Sequence, residues 1–264
     1  MSDAYAGGRI KFEIDGPIAT ITNDNADKHN AFDDEMDWAL FDILRTLRET
    51  PSVRAVIWRA EGKSFSSGRD VASIGTNKSQ LPHHELMTRG HKGILQLFDL
   101  EAPVIVAMKG WTIGGSFQRT LLCDIRIAAE GSRMMLPEVT HGVIPDTGGV
   151  GRLFQICGPG VVSDMVLTGR AMSAEEALHH GVISRIVPLE ELDSTAREMA
   201  EKIAAAPTAT VKMARRVIAH LAEPEIRSSM ADELIYQTFV NKSDDYAEFR
   251  AARSEGRQAN YTGS

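Results

Sequence analysis

Residues 102–124, APVIVAMKGWTIGGSFQRTLLCD, pass from an uncharged, β-branched run through paired glycines into a segment with helical spacing. The run Pro103 to Met108 is short and continuously apolar, the pattern of a strand covered on both faces. Gly114 and Gly115 let the main chain approach a ligand closely and take dihedrals that other residues resist. Phe117, Leu121 and Leu122 then recur at helical spacing, so the first N–H groups and the positive dipole end of that helix face the glycine turn. Such a junction stabilises an oxygen that gains negative charge. A glycine pair by itself is also a common packing turn or cap.

A second loop of the same character lies upstream. Val53 to Arg59 reads as a strand, Glu61-Gly62-Lys63 as a turn, and Phe65-Ser66-Ser67-Gly68-Arg69-Asp70 as a small-residue loop. Two strand-end loops can supply two convergent N–H donors. Further out, Ile10 to Ile14 and Ile18 to Thr22 read as strands paired across Asp15-Gly16-Pro17. Met36, Leu40, Ile43, Leu44 and Leu47 mark one face of a helix that Asp33 or Asp34 can cap. A helix is expected from about Pro82 to Leu100, and a strand over Ile125 to Ala128. Strand, helix and strand therefore recur, which implies an α/β core with a mostly covered sheet. The Gly- and polar-rich stretch Ile74 to Gln80 is a candidate lid.

From Leu189 onward the pattern is helical, with Pro207 and Pro224 expected to separate segments and Thr208 a possible cap. We therefore divide the chain into an α/β core, residues 1–195, and a helical region, residues 196–264.

A chain of 264 residues with 43% hydrophobic content can bury a substantial core. Two cysteines, Cys123 and Cys157, make no disulfide framework, which favours a reducing compartment. The first residues carry no secretion-signal pattern, and no run approaches the roughly 20 apolar residues of a bilayer span. A cytoplasmic protein without membrane association is expected. A formal charge of −7 argues against a broad nucleic-acid face. The histidines share no metal spacing, and His83-His84-Glu85 lacks the cysteine pair that would complete a zinc site, so no metal is expected.

The ordered motifs of the whole chain resemble those of the crotonase superfamily, the enoyl-CoA hydratase and isomerase family. Lys28-His29-Asn30-Ala31-Phe32 is similar to its K-x-N-A-L opening, Phe65 to Asp70 to F-S-A-G-x-D, and Gly110 to Gly115 to G-x-x-x-G-G. Cys123-Asp124, Pro137-Glu138 and Gly142 to Gly149 match further landmarks in order, as do Leu167-Thr168-Gly169 and Ala174 to Ala177. The resemblance implies a crotonase-like core of repeated ββα units and a C-terminal helical region that forms homotrimers, often paired into hexamers. It implies an acyl-CoA substrate, with coenzyme A as part of that substrate and no separate cofactor.

By the same resemblance, the backbone N–H groups of Arg69 and Gly115 hold the thioester carbonyl oxygen. Hydratases of the family use two glutamates, and the first should lie three residues after the second glycine, where this chain has Gln118. An amide can orient a group but cannot exchange a proton near neutral pH. Glu138 stands where the second glutamate is expected, as in isomerases that move a double bond with one base. Asp146 occupies a position that is catalytic in some isomerases of the family; its alternative is to cap a helix starting at Thr147 or Gly148. Coenzyme A is expected along Ser67, Gly68, Arg69, Asp70 and Ile74, beside Gly114 and Gly115, with Lys28 or Arg257 at its phosphates.

Double-bond isomerisation is thus favoured over hydration. Two alternatives stay open. His91 lies twelve residues before Pro103, the spacing of the aryl-CoA dehalogenases, so Asp146 with His91 would suit hydrolysis or dehalogenation. A non-catalytic acyl-CoA-binding protein is the other.

Overall fold

The computed structural model describes residues 2–70 and 82–264. β1 (Ser2–Tyr5) pairs antiparallel with β2 (Ile10–Asp15), and β2 with β3 (Ile18–Asn23). The register Asp15↔Ile18 closes that hairpin through Gly16, whose φ of 57° is one that L side chains resist. α1 (Asp34–Arg48) follows, and the Asp33 carboxylate caps it by accepting from Met36 N at 3.0 Å.

Beyond α1 the main sheet becomes parallel: β3 pairs with β4 (Ala55–Ala60), β4 with β5 (Val104–Met108), and β5 with β7 (Ile125–Ala129). α2 (His83–Asp99) separates β4 from β5, and β10 (Arg185–Val187) closes the seven-stranded sheet beside β7. A second sheet holds β6 (Trp111–Ile113), β8 (Arg133–Met135) and β9 (Ala171–Ser173). A strand of the large sheet, a strand of the small sheet and a helix recur in that order. β5, β6 and α3 (Gly114–Leu121) make one such unit; β7, β8 and α4 (Gly149–Thr168) make the next. α5 (Ala174–His179) leads on to β10.

The central parallel strand β5 is apolar throughout because both its faces are covered. Val56, Trp58, Val104, Val106 and Met108 enter the larger core with α1, α2 and α3, while Ala55, Ile57, Ile105 and Ala107 enter a smaller one. The smaller core is filled by Leu192, Ala196, Ala200 and Ala204 of α6 (Leu192–Ala205). The sequence boundary at residue 195 therefore falls inside a helix that packs on the sheet.

α7 (Thr208–Val240) lies across the larger core, and α8 (Asp244–Glu255) follows it. α7 departs from the sequence expectation in two respects. Pro224 does not divide the segment, since α7 runs through it, and Thr208 makes no side-chain cap. The buried Arg215 ties α7 to the core by donating to Leu97 O at 2.6 Å and to Asp124 Oδ2 at 3.0 Å. Asp124 Oδ2 also accepts from Val104 N, so one carboxylate joins the start of β5 to α7.

Candidate active site

The loop Phe65 to Asp70 runs beside β6. Ser66 N donates to Trp111 O at 3.1 Å and Ile113 N to Ser66 O at 3.0 Å. Gly68 has a φ of 87°, and a Cβ there would stand 2.8 Å from Ile113 O, so only glycine permits this approach. On the opposite edge Phe32 N donates to Gly68 O and Asp70 N donates to Phe32 O. Strand alternation then turns the Arg69 N–H away from Phe32, to the side of β6 and α3. Ser66 Oγ and Ser116 Oγ, 2.7 Å apart, fasten the loop to α3. Arg69 and Gly115 thereby line the same cavity, of about 820 Å³.

Gly114, with a φ of 57°, starts α3, and a Cβ there would meet Glu138 Oε1 at 3.2 Å. The absent side chain is what admits the Glu138 carboxylate to the cavity wall. Gln118, fully buried, donates through Nε2 to Glu138 Oε1 at 2.8 Å. Its oxygen accepts from Thr147 N at 2.8 Å and Gly149 N at 3.3 Å. Glu138 Oε2 is buried and has no hydrogen-bond partner. Burial pushes the Glu138 carboxyl up to about 7, the Asp146 charge adds to the rise, and the Gln118 amide opposes it.

Asp146 lines the cavity with Glu138 and His91. It is not a helix cap: α4 starts at Gly149 and its N-cap is Gly148. His91 meets the Asp146 main chain, not its carboxylate: Nε2 lies 2.6 Å from Asp146 O, and a carbonyl only accepts, so the ring nitrogen donates.

Ser67, Gly68 and Gly114 also line the cavity. Lys28, Asp70 and Arg257 do not. Lys28 Nζ bonds Asp70 Oδ2 at 2.9 Å, and Arg257 is held by Glu248 and Glu255, both at the surface. Ile74 and the candidate lid lie outside the described residues. Among the described residues no group of three His, Cys, Asp or Glu side chains could hold a metal ion.

The family model for enoyl-CoA hydratase/isomerase matches residues 13–264. The chain belongs to the enoyl-CoA hydratase/isomerase family. It is 37% identical over 259 residues to a carnitinyl-CoA dehydratase of Salmonella arizonae, covering 96% of this chain and 98% of that one. Its fold is similar to that of an enoyl-CoA hydratase/isomerase from Pseudoalteromonas atlantica, with a TM-score of 0.87 at 25% identity over 96% and 100% of the two chains. An enoyl-CoA hydratase from Bacillus anthracis gives a TM-score of 0.74 at 28% identity over 97% and 100%.

This enoyl-CoA hydratase/isomerase family member also uses residues that its motifs did not single out. Glu233 and Gln237 of α7 hold the turn that carries Asp146. Glu233 Oε2 accepts from Gly148 N, and Gln237 Oε1 from Ile144 N, both at 2.8 Å. Burial pushes the Glu233 carboxyl up to about 7, against the Gly148 N–H and the Ser229 hydroxyl. At another wall Asp37 bridges two arginines, Arg69 through Oδ2 at 2.9 Å and Arg119 through Oδ1 at 2.8 Å, while Asp34 pairs with Arg69. The sequence signal for Glu233 and Gln237 was their i, i+4 spacing on one face of an otherwise apolar helical pattern.

Proposed function

We propose that the protein moves a proton at the α-carbon of an acyl-CoA thioester, with Glu138 as the base, and that double-bond migration between the β,γ and α,β positions is its reaction. The main-chain N–H groups of Arg69 and Gly115 receive the thioester oxygen and stabilise the enolate, since donors fixed before reaction cost no reorganisation. Glu138 takes the α-proton and returns it at the γ-carbon. Asp146, on the same cavity, serves as the second acid or base.

The observation that carries this reading is the state of Glu138: one oxygen fixed by Gln118, the other buried and unpartnered, and the carboxyl raised to about 7. A base with a pKa near the working pH combines a useful deprotonated fraction with strong proton affinity. The Gln118 amide is engaged at both ends, which suits it to positioning Glu138 rather than to activating water.

The carnitinyl-CoA dehydratase relatives support a second reading, elimination of a β-hydroxyl. Glu138 would form the same enolate, and Asp146 would protonate the leaving oxygen. Proton NMR in deuterium oxide with 3-enoyl-, 2-enoyl- and 3-hydroxyacyl-CoA esters separates the two. Migration supports isomerisation, interconversion of the last two supports elimination, and absence of both and of α-deuteration overturns the proposal.

Coenzyme A would lie along Ser67 to Asp70, and Lys28 and Arg257 remain proposed partners of its phosphates. Homo-oligomerisation through α7 is part of the proposal. Val217, Leu221, Ile235 and Phe239 leave large apolar side chains exposed there, a surface suited to a second copy.

A further inference from the structure

Arg119 follows Gln118 on α3 and stands four residues beyond Gly115. Residues at i and i+4 share a helix face about 6 Å apart along the axis, and helical side chains lean toward the N-terminus. Both residues line the same cavity. An acyl chain whose thioester oxygen sits at Gly115 and which runs along α3 therefore meets the Arg119 guanidinium at roughly its fifth or sixth carbon.

That guanidinium is not fully used by the protein. Only 11% of the side chain is exposed, and Nε and Nη1 are buried without hydrogen-bond partners. Nη2 lies 2.8 Å from Asp37 Oδ1, yet Oδ1 itself makes no hydrogen bond, so the contact is an ion pair with donor and acceptor capacity unspent. Buried polar groups left unmade are costly, which favours a ligand that satisfies them. The ion-paired cluster is itself balanced in charge, with Arg69 and Arg119 facing Asp34 and Asp37. The Phe32 ring, 5.0 Å from Arg119 Cζ, supplies an apolar wall beside it, and Trp38, whose ring carries the Arg89 guanidinium, lines the same cavity.

We propose that Arg119 and Asp37 form a polar subsite for an uncharged oxygen function, a hydroxyl or carbonyl, near the fifth or sixth carbon of the acyl chain. The proposal rests on the acyl-CoA reading above and deepens it by naming the acyl class. The guanidinium donates to the oxygen, and a hydroxyl in turn donates to Asp37. A plain alkyl chain would bury these groups unpaired, and a carboxylate would add a negative charge to a balanced cluster.

The test needs binding and turnover together. Affinities of hexanoyl-CoA, 6-hydroxyhexanoyl-CoA and hexanedioyl-CoA are measured by calorimetry for the wild type, Arg119→Met and Arg119→Lys, with circular dichroism confirming that each variant folds. The wild type should bind the hydroxy ester about tenfold tighter than the alkyl ester, the worth of one hydrogen bond to a charged group. The ratio should fall to about one in Arg119→Met and be partly restored in Arg119→Lys. The matching hex-3-enoyl esters report turnover. A ratio near one in the wild type, or one unchanged in Arg119→Met, overturns the subsite even if every ester is isomerised. Preference for the hexanedioyl ester overturns its uncharged character. A preserved binding ratio with no turnover on either chain keeps the subsite and removes the proposed reaction.

Discussion

Gln118 Nε2 donates to Glu138 Oε1 at 2.8 Å, while the same amide accepts from the main chain on the other side of the turn that carries Asp146. One neutral side chain thus joins the Glu138 carboxylate to the turn that carries Asp146. It fixes the orientation of Glu138 without offering a competing proton, because an amide does not titrate in the working range.

Glu138→Gln should remove the base while keeping the shape of the site. Turnover or α-deuteration should fall by about 10²–10⁴, the usual worth of general base catalysis. Affinity for a saturated acyl-CoA ester should stay close to that of the wild type. In the wild type the rate should rise with pH through about 7 as Glu138 ionises. Deuterium exchange at wild-type rates in the variant would falsify its assignment as base.

Gln118→Leu should separate positioning from chemistry. It leaves Glu138 Oε1 and the Thr147 and Gly149 N–H groups without their partner, at about 1–3 kcal/mol for each buried group left unmade. The unfolding midpoint should drop. The acid limb of the rate profile should move to higher pH, because the lost amide favoured the charged form of Glu138. A fall in stability with an unmoved limb would show that Gln118 is structural alone.

The continuous apolar run of β5, the cap of α1 and the two glycine loops were legible because each depends on nearby residues: an unbroken apolar stretch rich in β-branched residues, an N-cap aspartate, a φ that only glycine tolerates. Asp33 and Gly68 show this directly. The α7 contacts were not legible, since Glu233 reaches Gly148 across 85 residues and Arg215 reaches Leu97 across 118. Pro224 misled for a related reason. Tertiary packing of Ala222 and Ile226 on either side holds a helix through a residue that local propensity treats as a stop. Of the residues lining the cavity, the motifs pointed to Glu138 and Asp146 but not to Arg119, whose meaning depends on which helix faces it.

Gly114→Ala and Gly131→Ala make a controlled pair. Both positions have positive φ, 57° and 72°, so each alanine should cost about 1–2 kcal/mol of backbone strain. At Gly131 the new Cβ meets nothing within 4 Å, whereas at Gly114 it stands 3.2 Å from Glu138 Oε1. Thermal midpoints should fall by similar amounts, but only Gly114→Ala should lose kcat/KM. Equal activity in the two variants would mean that Glu138 does not need its present place.

Glu233 links the α7 anchor to the pH dependence of folding. Its carboxyl is raised to about 7 in the folded protein, chiefly by burial, from an ordinary value of 4.5. Below 4.5 both folded and unfolded chains hold the proton, and no difference arises. Between 4.5 and 7 the unfolded chain releases a proton that the folded chain keeps, so stability falls as pH rises, and above 7 the loss is complete. Glu138 acts with the same sign over the same window. At about 1.4 kcal/mol per pKa unit, each group accounts for a loss on the order of 3 kcal/mol. Glu233→Gln keeps an oxygen to accept from Gly148 N but cannot ionise, so the decline in denaturant midpoint from pH 5 to pH 8 should shrink by about half. The charge removed also faces Glu138, where it raises the carboxyl, so the acid limb of activity should move to lower pH. Identical stability slopes in variant and wild type would show that Glu233 is already ionised in the fold, and an unmoved activity limb would detach it from the Glu138 site.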